Sequence, residues 1–196
     1  MSSVPKSYLT ESEYLQQERN ASFKSQFYQG EVFAMAGASR EHNLVCGNLI
    51  TILNNQLRDS DCQVYPSDMR VKVSPTRLYT YPDLSLACGD PQFEDDHGDT
   101  LVNPRVLVEV LSESTEGYDR GAKFEQYRQL DSLQDYLLIV QDRPHVECFS
   151  RQASGNWLLA ESSSLSETIR IGSIACDLPL ADVYLKVKFT EHEAPQ

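Results

Sequence analysis

The sequence predicts an α/β (α+β) fold, a mixed sheet with helices packed on it. Three observations lead there. Apolar residues recur at helical spacing over 40–57 and 118–130; strand patterns run over 69–73, 81–87, 106–111 and 136–140; and the order along the chain is helix, three strands, helix, strand.

The elements follow from local chemistry. Thr10 and Glu13 have the spacing of a capping box, and Leu9 and Tyr14 that of a hydrophobic staple, so a first helix runs to Glu18. Alternating segments at 23–28 and 31–35 flank Gln29-Gly30, a hairpin turn. Ser39 can cap a second helix whose apolar face is Leu44, Val45, Leu49, Ile52, Leu53 and Leu57. Met69, Val71 and Val73 alternate with Arg70 and Lys72 as a half-buried strand, YPDLSLA (81–87) reads as the next, and VLVEVL (106–111) is the third and most buried. YDRGAKFEQYRQL is helical despite Gly121, with a stripe of Phe124, Tyr127 and Leu130, and YLLIV (136–140) is the strand after it. Strands at 145–150, 156–160 and 168–171, the turn Ser154-Gly155 and a turn-rich tail around Asp177–Tyr184 form a C-terminal β meander that extends the sheet. At 196 residues a single domain is expected over 1–196, comprising an N-terminal helix and hairpin (1–36), a core (40–141) and a β extension (144–196).

Composition narrows the function. Hydrophobic content of 40% suits a soluble globular protein, and no apolar run approaches a membrane span. MSSVPKSYLTESEYLQQE lacks the apolar core of a signal peptide, so a cytoplasmic location is expected. The cysteines, Cys46, Cys62, Cys88, Cys148 and Cys176, are odd in number and never spaced C-x-x-C, which suggests small buried hydrophobes and neither a disulfide framework nor structural zinc. A net charge of −12 argues against tight non-specific binding to phosphate backbones. Asp90, Glu94, Asp95, Asp96 and Asp99 crowd DPQFEDDHGD, expected to be a solvated connector because it lacks an EF-hand pattern.

The residue that stands out is Glu109 inside VLVEVL, because a buried unpaired charge costs several kcal/mol or more. Period-two geometry puts Tyr81, Asp83, Ser85 and Ala87 on one face of their strand and Leu107, Glu109 and Leu111 on one face of theirs, so Asp83 and Glu109 face each other in the right register. Two close carboxylates in a partly dry site repel unless a divalent cation sits between them, and oxygen-only ligation suits Mg²⁺ or Mn²⁺. The other reading is structural: Asp83 caps a turn after Pro82, and Glu109 pairs with an arginine or lysine.

These segments, together with GASREHN (37–43), PSDMRV (66–71), YPDLS (81–85), VEVLSEST, YDRGAKFEQYR (118–128) and LPLADVY (178–184), resemble the PD-(D/E)XK nuclease superfamily, in particular its Uma2 family, over nearly the whole chain. The resemblance implies a restriction-endonuclease-like core and divalent-metal-dependent hydrolysis of DNA phosphodiesters. Asp83 and Glu109 would bind the metal, and a lysine would orient and polarise the attacking water. That lysine usually lies two residues after the glutamate, where this chain has Leu111. Lys123, four residues before Tyr127 and seven before Leu130, lies at the edge of the helix's apolar stripe and can reach inward, or it snorkels at the border of a buried face; Lys72 is the second candidate.

Glu31 and His42 also resemble family-typical site positions. Glu31 would add a ligand directly or through water, or be a surface group; His42 would serve the site, or tie the helix start to the sheet. Asp68 serves the site, pairs with Arg70 or closes a turn. His97, His145 and His192 show no ligand spacing. Arg58, Arg70, Lys72 and Arg77 precede Asp83 and are expected to form a basic rim for DNA, with a homodimer expected if both strands are cut. The alternatives are a catalytically weakened nuclease-fold binding or assembly module, and a metal-dependent phosphodiesterase acting on RNA or branched DNA.

Overall fold

The computed structural model describes residues 8–35 and 37–189; His192 and the two ends of the expected 1–196 domain lie outside them. Helix α1 (Glu11–Glu18) begins with both halves of the capping box: the Thr10 hydroxyl accepts from Glu13 N, and the Glu13 carboxylate accepts from Thr10 N at 2.8 Å. Leu9 packs on the cluster of Tyr14, Leu15, Phe27 and Tyr79. Strands β1 (Ser25–Tyr28) and β2 (Glu31–Ala34) form the hairpin, and Gln29 and Gly30 take the positive φ values, 49° and 88°, that a two-residue turn needs to match strand twist. Helix α2 (Arg40–Gln56) starts at Ser39, whose hydroxyl accepts from His42 N at 3.0 Å.

Next come β3 (Cys62–Pro66), β4 (Arg70–Val73), β5 (Leu78–Thr80), β6 (Leu84–Cys88), β7 (Thr100–Leu101) and β8 (Val106–Leu111). A broken helix follows: α3 (Glu116–Tyr118), a π-helical turn (Asp119–Lys123) and α4 (Phe124–Tyr127). The chain ends with β9 (Asp135–Val140), β10 (Val146–Arg151), β11 (Trp157–Ser162), β12 (Thr168–Ile171), a 3₁₀ turn (Gly172–Ile174), β13 (Cys176–Pro179) and α5 (Leu180–Val183).

Three sheets result, with orders β11-β10-β9-β8-β6-β3, β2-β1-β5-β4-β7 and β12-β13. In the six-stranded sheet only β8 and β9 are parallel, and the broken helix is their crossover. One face of this sheet packs Leu84, Leu86, Val106, Val108, Val110 and Ile139 against Val45, Leu49 and Leu53 of α2 and Ile169, Ile171 and Leu178 of β12–β13. The other face packs Leu107, Leu111, Tyr136 and Leu138 against Tyr127 and Leu130, and against Val71, Val73, Leu78 and Leu101 of the five-stranded sheet. Burial on both faces is why VLVEVL reads as one apolar run. No helix among the described residues is long and apolar enough to cross a membrane.

Four expectations are corrected. The strand at 69–73 is not one of the three core strands: β4 belongs to the five-stranded sheet, and the core position beside β6 is held by β3, a half-exposed edge strand whose sequence CQVYP shows little periodicity. The C-terminal meander extends the main sheet through β10 and β11 only, while β12 and β13 form their own pair over α2. Cys62 and Cys88 are joined in a disulfide, because the β3–β6 register sets them directly opposite each other; Cys46, Cys148 and Cys176 remain thiols. The helix over 118–130 is interrupted by the π turn.

Candidate active site

Asp83 lies one residue before β6, so the strand begins later than expected, but the pairing of Leu84 with Val108 and Ser85 with Leu107, continued by one residue, sets Asp83 opposite Glu109. The backbone N–H of Val110 donates to Asp83 Oδ2 at 2.7 Å, which locks the carboxylate to the edge of β8. His42, in the first turn of α2, brings Nε2 within 3.1 Å of the same oxygen, and its Nδ1 lies 3.6 Å from Cys46 Sγ one helical turn on. His42 thus ties the start of α2 to the sheet, and the tie is made through Asp83.

Glu109 is 4% exposed. Its Oε1 accepts from the Tyr127 hydroxyl at 2.8 Å and meets Lys123 Nζ at 2.8 Å; neither contact uses Oε2. Lys123 Nζ also lies 3.2 Å from Asp119 Oδ1. The apolar stripe on α4 explains this placement: Tyr127 and Leu130 seat the helix on β8 and β9, and the lysine one turn earlier is carried under it. The sequence reading passed over Asp119 and took Tyr127 only as part of the apolar stripe; they lie at i−4 and i+4 from Lys123. That spacing was the available signal.

Burial pushes the Glu109 carboxyl up to about 8, with Lys123 pulling it down and Asp119 and Asp83 adding to the rise. Burial works against the Lys123 charge as well, but the carboxylates of Glu109 and Asp119 outweigh it and hold the ammonium above the usual lysine range. Both groups move upward, since three acids share one lysine in a dry site. Such a pocket favours a further positive charge, and Asp83 with Glu109 offers oxygen donors suited to a hard divalent cation. A softer set adjoins it, for the ligand atoms of His42, Cys46 and Asp83 lie within 4.8 Å of one another. Two other groupings are spent otherwise: Cys62 and Cys88 beside Asp61 are the disulfide, and Glu147 beside His145 is held by the Arg120 guanidinium.

Most of the other candidates lie on the five-stranded sheet and on the segments around it. Glu31 begins β2 opposite Tyr28, half-buried in the five-stranded sheet. Only half of the expected basic rim is on the surface. Arg70 is 2% exposed, bonded to Thr100 and Tyr81 and paired with Asp99 at 3.0 Å; Lys72 is held by Glu11 and Glu94, each at 2.8 Å; Arg77 projects, 3.4 Å from Glu11, and Arg58, just past the end of α2, is exposed. The acidic loop is the reason. Instead of a solvated connector, it folds back so that Asp95 and Asp99 grip Arg19 and Glu94 grips Lys72. Asp68 pairs with Lys24 at 2.7 Å.

A six-stranded mixed sheet with α2 on one face and the crossover helix on the other is a restriction-endonuclease-like fold, and it sets Asp83, Glu109 and Lys123 close together. The family described as "Uma2: Putative restriction endonuclease" matches residues 11–180, and the chain belongs to it. Relatives are "Uncharacterized protein sll1609" of Synechocystis sp., 40% identical over 153 residues (78% of this chain, 86% of the relative), and "Uncharacterized protein slr1290" of the same organism, 34% identical over 189 residues (95% and 97%). A crystal structure of a "putative nuclease belonging to DUF820" from Anabaena variabilis superposes with a TM-score of 0.72 at 16% identity, covering 90% of this chain and 97% of that one, and so shares the fold.

Proposed function

We propose that this chain is a divalent-metal-dependent endonuclease that hydrolyses phosphodiester bonds in DNA, with Asp83 and Glu109 as ligands for Mg²⁺ or Mn²⁺ and Lys123 standing in for the lysine usual at position 111. The observation that carries the reading is the 2.8 Å contact between Lys123 Nζ and Glu109 Oε1, which brings the ammonium to the glutamate from the helix instead of from the strand.

When bound, a divalent cation supplies Lewis acidity toward the scissile phosphate and the attacking water. The chain's own groups do the positioning. Val110 N fixes Asp83 and Tyr127 fixes Glu109, so two carboxylates on neighbouring segments are aimed before any ligand arrives. Because its carboxylate neighbours keep Lys123 protonated, it acts as a fixed positive charge and hydrogen-bond donor toward developing phosphate charge, and not as a base. His42 orients Asp83 from α2. Glu31 is retained as a further ligand donated from the other sheet, and a homodimer would present two such sites to the two strands of a duplex.

The experiment is cleavage of supercoiled plasmid with Mg²⁺ or Mn²⁺. Cutting should stop on adding chelator and in Asp83→Ala or Glu109→Ala; cutting that persists in both variants removes the assignment. One observation favours a second reading, a nuclease-fold binding or assembly module: Arg70 and Lys72 are neutralised inside the protein, which weakens the phosphate-binding surface of a chain already at −12. Metal bound at Asp83 and Glu109 with no cleavage of DNA, RNA or branched substrates would select it.

A further inference from the structure

We infer that Asp119 is the positioning residue for the Lys123 ammonium, and that the π-helical turn Asp119–Lys123 is the device that sets both against the sheet. The inference deepens the nuclease reading and rests on it for its effect on cleavage. A π turn widens the helix by one residue, and such turns are found mostly as single insertions at functional sites. Here its first and last residues are the carboxylate and the ammonium that meet at 3.2 Å, with their side chains 5% and 6% exposed. The turn is clamped from β9: the Tyr136 hydroxyl, fully buried, donates to the Asp119 carbonyl at 3.1 Å, while the Tyr136 ring stacks on Phe124 just beyond the turn.

The need for Asp119 follows from the charges. Glu109 Oε1 already receives both Tyr127 and Lys123, and a Glu109 that also ligates a cation gives part of its negative charge to that cation. A buried ammonium does not hold its place without a counter-charge, and Asp119 is the other carboxylate in contact with it. Asp119 thus fixes where the lysine points once the site is loaded, and Tyr136 fixes Asp119.

The test uses the full chain labelled with ¹⁵N-lysine, saturated with Mg²⁺, and reads side-chain ammonium signals by NMR. Wild type should show one ammonium protected from exchange with water, absent in Lys123→Gln and so assigned to Lys123. Asp119→Asn should lose that protection, Asp119→Glu should keep part of it, and Tyr136→Phe, which preserves every charge, should weaken it. In single-turnover cleavage, Asp119→Asn should slow the rate constant about 10–100-fold, with half-saturating DNA unchanged and partial rescue by Asp119→Glu. A signal in Asp119→Asn and Tyr136→Phe as protected as in wild type overturns the inference, as does a loss confined to DNA affinity. If wild type cuts no substrate, the nuclease reading falls while the ammonium signal still decides the role of Asp119.

Discussion

Replacing Lys123 by Met keeps the length and apolar stem of the side chain and removes only the ammonium. That group sits 2.8 Å from Glu109 and 3.2 Å from Asp119, and all three side chains are 5–6% exposed, so water cannot take its place. Removing one member of a buried ion pair costs up to about 3–5 kcal/mol, because the partner charge is stranded or, as for a Glu109 already pushed up to about 8, must be neutralised by a proton. The same logic makes a second change compensating: adding Glu109→Gln removes one stranded carboxylate while its amide oxygen can still accept from Tyr127. Part of the loss should return, on the order of 1 kcal/mol or more, with Asp119 accounting for the remainder. Urea denaturation at neutral pH with shared m-values measures all three proteins, and plasmid cleavage is scored in parallel. A Lys123→Met deficit below about 1 kcal/mol, or a double variant no more stable than the single, would refute the account of Lys123 as the buried counter-charge. Full cutting by Lys123→Met would remove it from the site.

Tyr127→Phe strips the hydroxyl from Glu109 Oε1 and should cost about 1.5–3 kcal/mol in thermal or urea unfolding, the range for a hydrogen bond to a charged group. Reducing the Cys62–Cys88 disulfide, which closes a span of 26 residues, should destabilise the chain by roughly 3.5 kcal/mol on the chain-entropy account, read as a lower midpoint with reductant that Cys62→Ser/Cys88→Ser reproduces without it. The Arg19 guanidinium, with help from Arg70 and Thr100, holds the Asp99 carboxyl well below its ordinary 3.8 against the opposing effect of burial. A depressed value means that the stability from Asp99 is fully present above pH 3.8 and is lost as pH falls below it. Asp99→Asn should therefore lower stability at pH 6 and flatten the acid limb of the stability curve; an unchanged acid limb would show that the contact contributes nothing.

What the sequence made legible was local. A capping box, a Gln-Gly turn and a serine cap each act within a few residues, and α1, the β1–β2 hairpin and α2 appear where those signals stand. The carboxylate pair was legible too, since period-two geometry fixes faces even though β6 begins after Asp83. Lys123 was readable from its place on the stripe. The rest depends on contacts distant in sequence. β3 carries little pattern because it is a half-exposed edge, and without β3 beside β6 nothing brings Cys62 to Cys88. Arg70 and Lys72 look like a basic rim until the loop after β6 returns with Asp99 and Glu94 to neutralise them. The π turn leaves no mark in composition, and so Asp119 was passed over although it lies one turn from the lysine.

The central claim is that Asp83 and Glu109 form one metal site with Lys123 beside it. A crystal soaked in Mn²⁺ and measured for anomalous scattering tests it most directly. The account predicts a peak between the two carboxylates, lost in Asp83→Ala, with the Lys123 ammonium still against Asp119. Saturating Mn²⁺ that leaves no peak there, or a peak only at His42 and Cys46, would contradict it.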